Sequence, residues 1–411
     1  MKITVANKTI KDTFYTIAPV NWVLRVFNLS CIYRENGELK ASWSLTKSIT
    51  YVIGLAFVNV LFLITNFERW DSILQNWFSL TFADAIQMTY FIGYVEYITD
   101  LVFVIKKGRE GYLKYFKTFD HIDQLLGMNS YDEIRKLILK IVGVCIIMFV
   151  VSSTIDHISW VDGYKSSSTF LFSLNYFYFF LNMLTALDGM CHVVQLEYRL
   201  KLMKELLENY YHSPNHTISN DDDKTWATKI DSGSSRVDSL KTLNYSRFTE
   251  VIGFNRCYLL LVEQAYFLNG KFGIRLLVLC INFLVNMIKL LNLFVRFATG
   301  AMVSPNGTSR LLSFASMVRL LNWAIVAFIV VYRCEQMYKQ SERILDIIDL
   351  VLVNKKNSTN LTTTLEKLRN LLLTRPIKFH AAQFFTVEYT LLVSLVSTIV
   401  TYTIIMLQNL N

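Results

Sequence analysis

The sequence predicts an all-α membrane protein with seven transmembrane helices, and three observations lead there. Of 411 residues, 53% are apolar in type and only 18% are charged, whereas a soluble chain of this length carries about a quarter charged residues. Aromatics are plentiful, at 29 Phe, 22 Tyr and 7 Trp, while Gly and Pro are scarce. Apolar runs long enough for the roughly 20 residues that cross a hydrocarbon core recur along the chain. In the bilayer core only helices and closed barrels satisfy every backbone group, and the alternating segments of a barrel do not occur.

The spans fall at about 46–66, 80–105, 134–156, 169–198, 273–297, 311–333 and 378–408. The gaps between them sort by charge. Lys and Arg crowd residues 1–48, 106–136, 199–256 and 333–376, while the intervening gaps hold Arg69, Lys165 and Arg310. The basic segments are therefore expected on the cytoplasmic side. The N-terminus then lies inside, and seven crossings leave the C-terminus outside. That orientation, with no DRY or NPxxY sequence, excludes a G-protein-coupled receptor. The net charge of +9 belongs to these loops, so no nucleic-acid partner is expected. The opening MKITVANKTIKDTFYTIAPV lacks the early apolar core and the cleavage site of a signal peptide. Six scattered cysteines without a CxxC pair argue against a disulfide framework or a zinc site.

Four regions follow. Residues 1–45 form a cytoplasmic N-terminal segment. Residues 46–333 carry six spans, with a polar and flexible cytoplasmic insert at about 212–240. Residues 334–376 read as a cytoplasmic helical anchor, in which Glu335 to Val353 continue the sixth span. Thr363 to Glu366 make a capping box for LEKLRNLLL. Pro376 stops that helix and suits the first turn of the next. Residues 377–411 hold the seventh helix.

That last helix carries a polar stripe. With residues 383–408 at helical spacing, Gln383, Thr390, Ser394, Ser397, Thr401 and Gln408 share one face, with Val387 and Ile405 filling the gaps. Small polar residues in a bilayer also bond back to carbonyls or let helices pack closely, which is the competing reading. If the stripe is wet, several copies must surround one axis, because one helix cannot enclose water. A symmetric oligomer with a central pore is then implied. A neutral lining, with Glu388 near its inner end, fits permeation with modest cation preference.

The ending IKFHAAQFFTVEYTLLVSLVSTIVTYTIIMLQN resembles the last helix of insect gustatory receptors. Their signature is Thr-Tyr, five apolar residues, then Gln and usually Phe. This chain has Thr401, Tyr402, the run Thr403 to Leu407, and Gln408; FHAAQFF resembles the family's stretch upstream. The length, the seven spans and the cytoplasmic N-terminus agree with the family. The resemblance implies a homo- or heterotetrameric, ligand-gated, non-selective cation channel in the plasma membrane of chemosensory dendrites. It implies no cofactor. Gln408 becomes a gate-proximal residue, and Tyr402 a packing or gating residue. Asn409 stands where the family usually has Phe, so Ile405, one turn inward, is the alternative hydrophobic element of the gate.

A tastant arriving from outside would meet the outer halves of spans two to six. Aromatic walls with a few placed polar groups make ligand sites. The candidates are Gln87, Tyr90, Tyr94, Asp156, His157, Trp160, Tyr176, Tyr178, Asn182, Asn286, Ser316 and Trp323. Tyr and Trp also gather at membrane interfaces for reasons unrelated to ligands. Arg319, inside the sixth span, calls for an acidic partner or a cavity. Asn306-Gly307-Thr308 is a glycosylation sequon on the expected outer side. No GxSxG, HExxH or phosphate-binding loop occurs, so no enzyme is expected. A bitter or plant-derived compound stands ahead of a sugar as ligand. An odorant-receptor-like channel is the alternative. A secondary transporter, which needs broken helices or repeated halves, ranks behind both.

Overall fold

Asp12 opens the first helix, its side chain accepting from the Tyr15 backbone N–H at 2.9 Å, an N-cap for α1 (Thr13–Val26). An antiparallel hairpin follows, β1 (Ile32–Glu35) and β2 (Glu38–Ala41). Its two-residue turn, Asn36-Gly37, has φ of 50° and 87°, the positive values a tight hairpin turn demands. The helices then run α2 (Leu45–Ile73), α3 (residues 91–103), α4 (Arg109–Leu126), α5 (Tyr131–Tyr164), α6 (Thr169–His212), α7 (Ser234–Thr299), α8 (Ser309–Asn354) and α9 (Thr359–Thr374). A short pair, β3 (His380–Ala381) and β4 (Phe385–Thr386), precedes α10 (Tyr389–Gln408). The computed structural model describes residues 10–73, 91–105, 109–164, 169–212, 234–300, 303, 306–354 and 359–408.

Among the described residues, four helical stretches are long and apolar enough to cross a membrane. They are Tyr131–Asp162, Tyr176–Asn209, Gly253–Thr299 and Ser309–Val353. Leu45–Leu61 and Tyr389–Ile405 are shorter apolar helices. Of the expected span 80–105, only residues 91–105 are described. The chain is thus an all-α membrane protein. The helix α6 is its centre, packed against α5, α7 and α8. Leu187, Met190, Cys191, Val194, Leu196 and Leu200 bury several faces of it at once, as a helix apolar all round must. Ile147, Val150 and Phe328 remain exposed on the outside of the bundle, where a bilayer serves as solvent.

Several boundaries differ from expectation. Of the insert expected at 212–240, residues 213–233 lie outside the described residues, and 234–240 are helical. They open α7, which runs 66 residues without a break. The helix α8 runs without a break from Ser309 through Glu335 to Asn354. The helix α9 starts at Thr359, so Thr363 to Glu366 lie inside it rather than capping it. Leu365, Leu368 and Leu372 are buried along its inner face.

Pro376 ends α9 but opens no helix. The chain stays extended because its backbone is held from two sides. The Phe379 N–H donates to the Tyr338 hydroxyl and the His380 N–H to Asn269 Oδ1, while Asn269 Nδ2 donates to the Lys378 carbonyl. Gln383, expected on the seventh helix, instead sits with Ala382 in the β3–β4 turn at φ of 66° and 49°. Val387, expected to fill a gap in the stripe, is buried before the helix begins. The helix expected over 378–408 therefore starts only at Tyr389, as α10.

Candidate functional site

The helix α10 rises from a rigid seat. Its first backbone N–H, at Tyr389, donates to Glu335 Oε1 of α8 at 2.9 Å, and a carboxylate at a helix N-terminus complements the helix dipole. The β3–β4 hairpin lies so close to α7 that a Cβ built on Gly273 would sit 3.3 Å from the Ala382 nitrogen and the His380 carbonyl. The anchor formed by α7, α8 and α9 is thus continuous with the base of the last helix.

Above that seat, α10 meets the bundle along one side only. Ile399 is buried and Leu395 packs beside it, and Leu392 packs on the main core. Thr390, Ser394, Ser397, Thr401, Ile405 and Gln408 are all exposed, and at helical spacing they fall on the opposite side. The stripe therefore points directly away from the chain's own bundle. Hydroxyl groups of Ser394 and Thr401 donate to the carbonyls of Thr390 and Ser397 at 2.9 Å. These bonds satisfy the protons and leave the oxygens outward. Val393, Val396, Val400 and Ile404 form an exposed apolar flank, and Tyr402 is exposed on the other side of the stripe. Asn409 lies outside the described residues.

Deep in the bundle, three sequence candidates converge. Asp156 on α5 is buried, and its Oδ2 accepts from the Tyr176 hydroxyl of α6 at 2.7 Å and from Arg319 Nη1 of α8 at 2.9 Å. The acidic partner that Arg319 called for is thus Asp156. His157 packs edge-on to Tyr176, and Trp160 edge-on to Phe297 of α7. Asn286 donates to Asn282 Oδ1 at 2.7 Å, and Ser316 bonds back to the Leu312 carbonyl.

Others are placed apart. The Tyr178 hydroxyl accepts from Asn59 of α2 at 2.6 Å, with the Gly93 backbone of α3 against its ring. Tyr94 is half-buried at the margin of the main core. Asn306 is exposed, and its Nδ2 donates to the Asp162 carbonyl. Gln87 and Tyr90 lie outside the described residues.

Trp323 and Asn182 line one cavity of about 60 Å³ between α6, α7, α8 and α10. The Trp323 indole stacks on Phe179 with ring centroids 4.3 Å apart. Leu391, Leu392 and Leu395 make the α10 wall of the cavity, so a sequence candidate for ligand contact and the base of the striped helix share one space.

A second buried polar cluster is absent from the sequence candidates. Lys271 Nζ lies 2.7 Å from Asp188 Oδ2, and Arg275 Nε lies 2.9 Å from Asp100 Oδ1. The Tyr115 hydroxyl and His192 Nδ1 are 2.8 Å apart. Nearby, Arg199 grips Asp123 through Nε and Nη2 at 2.8 and 2.7 Å. A readable signal existed. Glu96 and Asp100, Asp188 and His192, and Lys271 and Arg275 are three i,i+4 pairs within or beside apolar runs, each presenting its charges on one helix face.

A family model of 7tm chemosensory receptors matches residues 17–409. No curated protein matches the sequence. Among solved structures, the insect olfactory receptor OR5 from Machilis hrabei aligns over 95% of this chain and 97% of its own, at 12% identity and a TM-score of 0.57. The structure of that receptor in complex with eugenol aligns with the same values. At this identity the likeness is one of fold, while the family match spans the helical bundle, the anchor and the last helix. The chain belongs to the 7tm chemosensory receptor family, and is a receptor rather than an enzyme.

Proposed function

We propose that the chain is a gustatory receptor: a ligand-gated, non-selective cation channel of the plasma membrane, opened by a small molecule from outside. Four copies, alike or mixed with related subunits, surround a pore lined by α10. The N-terminus is cytoplasmic, seven spans cross the membrane, and the last residues lie outside. The observation that carries this reading is the polar face of α10, turned away from the bundle that holds the helix. An exposed polar stripe in lipid is costly, whereas facing copies of itself across water it is satisfied. The apolar flank of Val393, Val396, Val400 and Ile404 suits the neighbouring subunit or lipid.

Single cysteines test the reading directly in cells that respond to a compound panel. At Ser397, Thr401 and Gln408 a permeating thiol reagent should alter the ligand-evoked current, and at Ser397 only while the channel is open. A cysteine at the buried Ile399 should not react. Equal reactivity at all four sites, or none at the stripe, sinks the pore assignment. An odorant-receptor-like channel is the second reading, favoured by the OR5 fold and by that receptor's eugenol complex. The compound panel separates the two: responses confined to volatile compounds favour the odorant reading, and responses to soluble bitter compounds the gustatory one.

A further inference from the structure

Five basic side chains lie between residues 10 and 50, and three of them are already paired. Lys11 meets Asp132, Arg34 meets Asp12, and Lys40 meets Glu35. Arg25 and Lys47 are exposed, and among the described residues neither makes an ion pair. Helix capping does not hold Arg25 either. The carbonyls of Leu24, Arg25, Val26 and Phe27 accept from Leu29, Asn28, Tyr51 and Tyr97. The Arg25 guanidinium lies over the Tyr33 ring, 4.2 Å from its centroid. Its N–H donors point outward in the guanidinium plane, so stacking leaves them open to an anion.

The surroundings of these two charges are apolar and exposed. Trp22 is 69% exposed and Val26 48%, and with Arg25 they share one face of α1 at helical spacing. The opposite face, with Ile17, Val20 and Leu24, is buried. The end of α1 is tied to the first turns of α2. The Tyr51 hydroxyl donates to the Val26 carbonyl at 2.9 Å, and Asn28 Nδ2 donates to Ser48 Oγ. Lys47 lies one turn before Tyr51 on the same flank of α2, so Arg25 and Lys47 stand on either side of the Val26–Tyr51 contact. That contact sits where the apolar helix Leu45–Leu61 begins. Leu45, Ile49, Ile53 and Phe57 of that helix are exposed at a spacing of four, a face for lipid. The Trp22 face continues it at the level where a span enters the headgroup region. Trp belongs at that depth, and a helix with one buried and one apolar, basic face lies in the interface plane.

We infer that Trp22, Arg25, Val26 and Lys47 form a site for an anionic glycerophospholipid in the leaflet that holds the start of α2. The phosphate meets Arg25 and Lys47, and the glycerol and upper chains pack on Trp22 and Val26. Binding does not depend on the channel reading. In the topology proposed above the leaflet is the cytoplasmic one, where anionic lipids concentrate.

Two measurements on the full-length protein test the site. The first asks whether Trp22 is in the membrane. In nanodiscs whose lipids carry bromine near the headgroup, the wild-type fluorescence minus that of Trp22→Phe isolates this indole. That difference should be strongly quenched relative to unbrominated nanodiscs. An unquenched difference overturns the inference. The second asks which lipid binds. Thermal stabilisation in detergent is titrated with short-chain phosphatidylserine and phosphatidylcholine. Each basic residue strengthens anionic-lipid binding about fivefold. Arg25→Gln with Lys47→Gln should therefore weaken phosphatidylserine about 25-fold and leave phosphatidylcholine unchanged. Arg25→Lys, which keeps the charge, should retain most of the phosphatidylserine effect. Equal stabilisation of the wild type by the two lipids, or an undiminished phosphatidylserine effect in the double variant, overturns the site. Loss of both lipids alike in that variant also overturns it, because the charges would then act on folding. Glycerophosphoserine, the headgroup without chains, should fail to stabilise. An effect equal to that of the lipid would assign a free-phosphate site and overturn the lipid one.

Discussion

Asp156 and Arg319, 163 positions apart in sequence, meet at 2.9 Å in the buried heart of the bundle. The Tyr176 hydroxyl donates to the same carboxylate oxygen, so one acid ties α5, α6 and α8 together. Removing one member of a buried ion pair costs about 3–5 kcal/mol, because the other charge is left uncompensated, whereas replacing both by apolar groups is often neutral. Asp156→Leu or Arg319→Met alone should sharply lower the yield of monodisperse protein and its midpoint temperature. The double variant should recover most of the loss. Additive losses in the double variant would show that the pair is not coupled.

The inner cluster supports a parallel expectation. Lys271→Met strands Asp188, and Asp188→Asn strands Lys271, so each single change should destabilise more than Asp188→Asn with Lys271→Met together. Arg275 lies 4.0 Å from Asp188 and continues to offer it a positive charge in Lys271→Met. The Lys271→Met loss should therefore be the smaller of the two single losses, and thermal unfolding in detergent ranks the three variants.

These clusters mark how far the sequence reaches. The apolar runs and their flanking charges make the membrane class legible, and the three-and-four spacing from Thr390 to Gln408 makes the face of α10 legible. Periodicity reports a face without reporting what it faces, so the pairing of Asp156 with Arg319 had to wait for tertiary structure. The hairpin before α10 was hidden for a different reason. FHAAQFF is as apolar as the helix it precedes, and its extended path comes from Tyr338 and Asn269, donors and acceptors on distant helices. Cys280 and Asn182 likewise sit on helical runs with no local sign that a cavity joins them.

Asp120 on α4 sets a pH dependence of stability. Burial, with Asp12 and Asp123 adding repulsion, pushes its carboxyl from the usual 3.8 up to about 6. The folded state thus binds this proton more tightly than the unfolded chain does. The stabilising contribution is complete below pH 3.8, and is lost as pH rises through about 6. Asp120→Asn, which mimics the protonated acid, should raise the midpoint temperature at pH 7.5. The difference should shrink below pH 6 and vanish near pH 4. A constant difference across that range would assign the effect to packing instead.

The seat of α10 yields a further expectation. Glu335→Gln keeps the acceptor for the Tyr389 N–H but removes the negative charge from the helix terminus, an effect of about 0.3–1 kcal/mol. Ligand-evoked current should shift modestly along the concentration axis. Gly273→Val places bulk against the Ala382 backbone, already 3.3 Å from a Cβ at that position, so it should impair gating far more while leaving surface expression measurable. Surface biotinylation with dose–response recording distinguishes lost gating from lost protein.

Ile405 carries the last expectation. Along the exposed stripe from Thr390 to Gln408 it is the one large apolar side chain, and it is 47% exposed in the single chain. Rings of apolar side chains close pores by excluding water. If α10 lines a shared pore, Ile405 from each copy makes such a ring one turn inward of Gln408. Ile405→Ser should then let water stand in the constriction and raise the current measured without ligand. Val400, 49% exposed, lies on the apolar flank, about 140° from Ile405 and about 90° from the centre of the stripe at helical spacing. Val400→Ser therefore adds a polar group about a turn and a half further in without entering the axis, and should leave the ligand-free current at the wild-type level. Recording both variants at matched surface expression decides the matter. Equal leak from the two would mean that loosened packing, rather than a wetted gate, opens the channel, and the gate would have to lie elsewhere on α10.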